Sequence, residues 1–158
     1  MATDSHRRRV KEVMARDVVY VDPQDTIEEA LALLIENRVS ALPVVNGRQQ
    51  CVGVLSTTDL IGLARELGDE VADLSQVSEA SRGWLLEKME QHGMTKQKVR
   101  EVMTTEVVST GPEATLAQAA RAMVRNRVHR LAVVDDNRLV GILSTMDILE
   151  AFAADGEK

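Results

Sequence analysis

The stretch Gly53-Val54-Leu55-Ser56-Thr57-Thr58-Asp59 occurs a second time, little changed, as Gly141-Ile142-Leu143-Ser144-Thr145-Met146-Asp147. In each copy an apolar run rich in β-branched residues leads into the Ser-Thr pair and predicts a strand. The apolar residues after the aspartate predict a helix. Each copy therefore marks the point where a strand ends and a helix begins, and there the first N–H groups lack intrahelical partners and the helix dipole is positive.

Two interpretations of this junction are open. In one, the free amides and hydroxyls of the Ser-Thr pair hold a phosphate, and the aspartate accepts two hydrogen bonds from a ribose diol. In the other, Ser-x-x-Asp is a capping box with Asp in place of Glu, and it needs no ligand. Because the motif is repeated at matched places, we favour ligand binding, with the serines also capping the helices. The residues concerned are Ser56, Thr57, Asp59, Ser144, Thr145 and Asp147.

The repetition extends over most of the chain. Val10-Lys11-Glu12-Val13-Met14 returns as Val99-Arg100-Glu101-Val102-Met103, at an offset of 89 residues. The offset falls to 88 after the polar stretch 46–50, where a hairpin loop tolerates a deletion. The predicted organisation is a flexible tail (1–9, with the basic run Arg7-Arg8-Arg9), a first repeat (10–67), a helical connecting segment (68–98), a second repeat (99–153) and a flexible tail (154–158).

Each repeat predicts the element order β-α-β-β-α. The first strand is expected at 18–21 and at 107–110, and capping-box patterns, Thr26-x-x-Glu29 and Thr115-x-x-Gln118, then open an amphipathic helix. Two strands joined by a polar turn follow. A three-stranded sheet covered on one face has too small a core alone. We therefore expect an α/β (α+β) fold in which the two repeats pack sheet to sheet about a pseudo-two-fold axis.

The connecting segment carries a further helical pattern over 78–92, which includes Trp84, the only tryptophan in the chain. Two interpretations stay open for it. It is either a helix packed on the domain or an arm that contacts a second copy or a target protein.

Composition excludes several classes of protein. The chain has 158 residues, 44% of them apolar, and a net charge of −6. This charge argues against a nucleic-acid or anionic-membrane surface, and no apolar run approaches the roughly 18 residues that span a bilayer. Cys51 is the only cysteine, so we expect no disulfide, no zinc site and a cytoplasmic location. The three histidines lack metal-ligand spacing and no P-loop is visible, so we expect neither a metal nor catalysis.

The repeated motifs resemble the cystathionine β-synthase (CBS) domain as a tandem pair, the Bateman module. The resemblance rests on Val-x-x-Val-Met, on Asn-Arg-Val-x-x-Leu-x-Val-Val and on Gly-hydrophobic-Leu-Ser-Thr-x-Asp, each present twice. It implies a disc with two clefts for adenosine nucleotides, in which the aspartates Asp59 and Asp147 hold ribose and the preceding Ser or Thr meets phosphate.

Two stretches are also similar to the γ subunit of AMP-activated protein kinase. Val39-Ser40-Ala41-Leu42 resembles a segment that lines an adenine and phosphate pocket there. Val128-His129-Arg130-Leu131 resembles a His-Arg pair that contacts phosphates, a role that suits the permanently charged guanidinium of Arg130. Because Ser40 and Ala41 stand where the second repeat has His129 and Arg130, we expect the two sites to be unequal.

The resemblance implies a regulatory module, an energy sensor that binds AMP, ADP or ATP between its repeats, forms a homodimer and signals occupancy to an unidentified partner protein. Two alternatives are open. One is a structural interaction module that needs no ligand, and the other keeps the clefts but binds NAD or S-adenosylmethionine.

Overall fold

The computed structural model describes residues 4–66, 87, 90–91 and 93–156. The fold is mixed α/β, as predicted, and the chain divides into two compact units. The repeat-1 unit comprises residues 19–47 and 52–106, and the repeat-2 unit comprises residues 1–18, 48–51 and 107–158. The predicted helix around Trp84 lies outside the described residues.

Along the chain, the repeat-1 unit has a helix, two strands and a second helix. A short helix that follows the connecting segment also belongs to this unit. Its elements are α1 (Ile27–Glu36), β1 (Ala41–Val45), β2 (Cys51–Ser56), α2 (Thr57–Glu66) and α3 (Val99–Val102). β1 and β2 form a two-stranded sheet. Its largest completely buried side chains are Ile27, Leu31, Leu34, Leu42, Leu55 and Leu60.

The repeat-2 unit has the full three-stranded sheet. Its elements are β3 (Ser109–Thr110), α4 (Leu116–Asn126), β4 (Arg130–Asp135), β5 (Arg138–Ser144) and α5 (Thr145–Gly156). The strand order is β3-β4-β5, with β3 parallel and β5 antiparallel to the central strand. The side chains that it buries completely include Val10, Leu116, Leu131 and Leu143.

The strand predicted at 18–21 shrinks to a single parallel bridge between Val21 and Val44. The reason is Pro43, which has no N–H to donate to the carbonyl of Val19, the next bond of a parallel ladder. Ala132 occupies the equivalent position in the second repeat, and its N–H donates to the Val108 carbonyl at 3.3 Å. The first strand consequently forms only in the second repeat.

Helix starts are as the capping-box patterns predicted. The Thr26 hydroxyl accepts from the Glu29 N–H at 3.2 Å, and the Glu29 carboxylate accepts from the Thr26 N–H at 3.4 Å. Thr115 and Gln118 make the same reciprocal pair. Such boxes satisfy two of the N–H groups that a helix start leaves open.

The helix ends depend on the repeated Asn-Arg pair. The Asn126 side-chain amide donates to the Ala122 carbonyl at 2.8 Å, and the Asn37 amide donates to Leu33 at 2.9 Å. Arg38 and Arg127 both have φ of +53°, the left-handed conformation that ends many helices and usually falls to glycine.

The N-terminal segment is packed against the repeat-2 unit, where the sequence predicted a flexible tail. Ser5 is buried and its hydroxyl donates to the Ala151 carbonyl at 3.5 Å. Arg9 donates to the Glu113 carbonyl, and Lys11 donates to the Glu113 carboxylate, each at 2.7 Å. The hydrogen bond from Lys11 lowers the pKa of Glu113 below its ordinary value. These contacts are polar and join residues that are far apart in the sequence, so the apolar pattern of the sequence does not predict them.

The Val-x-x-Val-Met segment that opens each sequence repeat belongs to the unit of the other repeat. The Val10 N–H donates to the Ala114 carbonyl, and the Val99 N–H donates to the Asp25 carbonyl, both at 2.8 Å. Both valines are completely buried. Each unit is therefore completed by a segment that lies elsewhere in the chain.

The glycine of the Gly-x-Leu-Ser-Thr motif is required where the segment from the other repeat packs against the strand. A Cβ placed on Gly141 would lie 2.6 Å from the Met14 Sδ and 2.8 Å from the Ala15 carbonyl oxygen. A Cβ on Gly53 would lie 2.8 Å from both the Met103 Sδ and the Thr104 carbonyl oxygen. Only a residue without a side chain lets the crossing backbone approach the strand so closely.

We predict that Gly141→Ala destabilises the protein by about 1–3 kcal/mol, because the Ala15 backbone cannot yield as a flexible side chain can. Urea unfolding followed by circular dichroism measures the loss. Gly62→Ala in α2 is the matched control, since its Cβ would meet nothing within 4 Å and alanine is the better helix former. A Gly141→Ala protein as stable as the control would refute this account of the crossing.

Candidate functional site

Both Ser-x-x-Asp stretches lie at the junctions β2–α2 and β5–α5, and both form reciprocal capping boxes. The Ser56 N–H donates to Asp59 Oδ2 at 2.9 Å, and the Asp59 N–H donates to Ser56 Oγ at 3.2 Å. The same two bonds between Ser144 and Asp147 measure 2.8 and 3.1 Å. The capping interpretation is therefore realised in both repeats, and it uses one oxygen, Oδ2, of each aspartate.

The structure corrects the part of the phosphate hypothesis that used free backbone amides. The amides of both serines are bound to the aspartates. The Thr57 N–H donates to the Ser40 carbonyl, and the Thr145 N–H donates to the His129 carbonyl, each at 2.9 Å. Strand pairing and capping thus consume the amides of the Ser-Thr pair, and only the side chains of this pair are left to meet a phosphate.

The bond from Thr145 to His129 places the His-Arg pair beside the start of α5. Arg130 is the first residue of β4 and lies directly opposite Ser144 on β5. Side chains at such opposed positions have Cβ atoms roughly 5 Å apart, and both His129 and Arg130 are exposed. The repeat-2 unit therefore brings a cation, the hydroxyls of the Ser-Thr pair and Asp147 to one end of its sheet.

The repeat-1 unit brings the corresponding residues together without a cation. The bond from Thr57 to Ser40 sets Ser40 and Ala41 beside the start of α2, close to Asp59. Neither side chain carries a charge. Ser40 and Ala41 therefore offer a phosphate no counterpart to the guanidinium of Arg130.

The two aspartates also differ in their second oxygen. The hydroxyl of Thr104 donates to Asp59 Oδ1 at 2.9 Å, and the Ser56 hydroxyl donates to Oδ2 at 3.0 Å. Among the described residues, Asp147 receives only the bond from the Ser144 N–H, and nothing donates to its Oδ1. Asp147 thus keeps an unengaged oxygen on the side away from the cap.

Among the described residues, no three His, Cys, Asp or Glu side chains are placed together so as to hold a metal ion. Within the same part of the chain, no helix has the length and apolar character needed to cross a membrane.

The family model of the CBS domain matches residues 10–66 and 99–154, the two sequence repeats. The chain belongs to the CBS-domain family. Its two copies of the domain form a tandem CBS pair.

Relatives of known sequence include proteins of similar and of greater length. The chain is 31% identical to the uncharacterized protein MJ1426 of Methanocaldococcus jannaschii over 151 residues, which cover 90% of this chain and 89% of that one. It is 36% identical over 137 residues to the gamma-3 subunit of 5′-AMP-activated protein kinase of Sus scrofa. That alignment covers 86% of this chain but only 23% of the kinase subunit.

Solved structures of CBS pairs share the fold. The CBS-pair protein CBSX2 of Arabidopsis thaliana superposes with a TM-score of 0.74 at 26% identity, over 95% of this chain and 97% of that one. A structure of CBSX2 in complex with AMP superposes with a TM-score of 0.70 at 28% identity, over 95% and 98% of the two chains.

Thr104 is the residue at this site that the sequence did not single out. It lies 45 residues from Asp59 and outside the motif that the aspartate closes. The only available signal was the offset of the two CBS repeats, which aligns Thr104 with Ala15, a residue that has no hydroxyl.

We predict that Asp59→Ala lowers the free energy of unfolding by about 1–2 kcal/mol, and that Asp147→Ala lowers it by less. Asp59 accepts from three donors and Asp147 from one. The loss of the Asp59 carboxylate therefore leaves more donors unpaired. Urea titration of the two variants without ligand makes the comparison. Equal losses would contradict the difference in engagement of the two carboxylates.

Proposed function

We propose that this CBS pair is a regulatory module that binds an adenosine nucleotide (AMP, ADP or ATP) and passes its occupancy to a partner protein. The observation that carries the proposal is the arrangement at the start of α5, where no described residue donates to Asp147 Oδ1 and Arg130 stands opposite Ser144. The likeness to CBSX2, which has been solved with AMP, supports the choice of ligand.

The chemistry assigns a part to each group. Asp147 accepts hydrogen bonds from the ribose hydroxyls, and as an ionised acceptor it makes stronger bonds than a neutral one. Arg130 presents a planar fork of donors to the phosphate oxygens, and His129 adds a second donor. The hydroxyls of Ser144 and Thr145 complete the phosphate contacts. No group in this assignment attacks or deprotonates the ligand, so the proposal is of binding without turnover.

Regulation follows if the nucleotide binds one arrangement of the protein more tightly than another. The ligand then shifts the population toward the arrangement it prefers, and the shift cannot exceed its differential affinity. The cytoplasmic location expected for a chain with one cysteine is part of the same proposal.

The alternative is an interaction module that needs no ligand. Its specific support is that both Ser-x-x-Asp boxes are complete without one. NAD and S-adenosylmethionine also carry a ribose that Asp147 could hold, so they belong in the same titration.

We expect AMP, ADP or ATP to bind purified, ligand-free protein in isothermal titration calorimetry. Arg130→Ala should weaken binding by about 1–3 kcal/mol, because a charge-assisted phosphate contact is lost. Ser40→Ala, at the equivalent turn of the first repeat, is the matched control and should change affinity little. Equal losses in the two variants would show the site assignment to be wrong, and the absence of binding at millimolar nucleotide would favour the interaction module.

Assembly as a homodimer through α5 is the second element of the proposal. Met146, Leu149 and Phe152 are 59%, 59% and 48% exposed, and their spacing of three places them along one face of the helix. Large apolar side chains aligned in this way on a surface are typical of a contact with another protein.

We predict that the wild-type protein sediments as a dimer in analytical ultracentrifugation and that Leu149→Glu with Phe152→Glu makes it monomeric. Buried glutamates would cost more than the contact gains. Val124→Glu is the control, since Val124 is 80% exposed on α4 and its change should leave the dimer intact. A monomeric wild-type protein, or a double variant that still dimerises, would exclude this face.

A further inference from the structure

We infer that the residue after each Val-x-x-Val-Met motif decides whether the aspartate of the other CBS repeat can hold a ribose, so that Ala15 leaves Asp147 open and Thr104 closes Asp59. This inference rests on the proposed function and deepens it, because it predicts one competent ribose site per chain and names the residue that sets the difference.

The two residues occupy equivalent positions in their units. Thr104 and Val54 exchange both backbone hydrogen bonds at 2.9 Å, and Ala15 and Ile142 exchange theirs at 2.9 and 3.0 Å. Val54 and Ile142 each lie five residues before the aspartate of their motif. The glycine preceding each of them is covered in the same way, by the backbone carbonyl of Thr104 or of Ala15. Ala15 therefore stands beside Asp147 as Thr104 stands beside Asp59.

The consequence is a difference in acceptor capacity. A carboxylate offers about four lone-pair positions. At Asp59, the Ser56 N–H, the Ser56 hydroxyl and the Thr104 hydroxyl fill three of them. At Asp147, among the described residues, the Ser144 N–H fills one. A ribose diol donates two hydrogen bonds, so Asp147 can accept both, whereas Asp59 has one position left and can accept both only if a present donor, such as the Thr104 hydroxyl, gives up its bond.

The residues available for phosphate binding also favour the second repeat over the first. The unit with the open aspartate also has His129 and Arg130 beside its helix start, and the unit with the engaged aspartate has Ser40 and Ala41. These are independent positions on different elements. Their agreement indicates that the second repeat is equipped for a nucleotide and that the first repeat satisfies its aspartate internally.

The test transfers the hydroxyl from one repeat to the other in the full chain. Calorimetric titration of wild-type protein with AMP should give one site per chain. Ala15→Thr should weaken that site about tenfold to hundredfold, as expected when an ionised acceptor is already engaged. Ala15→Val is the matched control, since it has the shape of threonine without the donor, and it should bind AMP as wild type does.

The reverse substitution uses adenosine, which needs no phosphate contact. Thr104→Val should add a second adenosine site per chain, and Asp59→Asn on that background should remove it. Circular dichroism and urea unfolding establish that each variant is folded.

The outcomes separate the two levels of the proposal. If wild-type protein binds neither AMP nor adenosine at millimolar concentration, the proposed function is lost and this inference with it. If AMP binds but Ala15→Thr and Ala15→Val weaken it equally, or Thr104→Val gains no adenosine site, the proposed function stands and the role of these two residues is refuted.

Discussion

The structure depends on a close backbone crossing that occurs once in each unit. Met14-Ala15 crosses β5 at Gly141, and Met103-Thr104 crosses β2 at Gly53, with carbonyl oxygens 2.8 Å from where a Cβ would stand. Paired backbone hydrogen bonds hold each crossing on its strand. The segment that opens one sequence repeat therefore completes the core of the other, and a change at the glycine acts on residues far away in the chain.

The crossing also makes capping compatible with the proposed ligand binding at the same aspartate. In Asp59, Oδ2 accepts from the Ser56 amide and closes the helix start, and Oδ1 accepts from the Thr104 hydroxyl of the crossing segment. In the repeat-1 unit that segment offers the hydroxyl of Thr104, and in the repeat-2 unit it offers the methyl group of Ala15. The helix is stabilised in either case, because the cap needs only one oxygen. The second oxygen is then free to be used by the protein itself or by a ligand.

The sequence predicted the features that depend on neighbouring residues, and it missed those that depend on contacts between residues far apart in the chain. The capping boxes at Thr26 and Thr115 and the strand-to-helix junctions were predictable because each depends on residues within one turn of one another. The strand predicted at 18–21 does not form, because its ladder depends on a hydrogen bond that Pro43, two elements away, cannot donate. The packed N-terminus and the Thr104–Asp59 bond were missed for the same reason, since their partners lie 45 or more residues apart.

An internally satisfied first repeat has a thermodynamic consequence for the pair. The hydroxyl of Thr104 stabilises Asp59 at every nucleotide concentration, because it is part of the chain, whereas stabilisation at Asp147 grows only as the logarithm of ligand concentration above the dissociation constant. If the nucleotide binds as proposed, the repeat-1 aspartate is satisfied without ligand, and the repeat-2 unit gains stability from the ligand. A nucleotide that binds only at Asp147 stabilises one unit selectively, and such a difference between two units of one chain is what a population shift requires. Two equally open repeats would respond together and would lose that contrast.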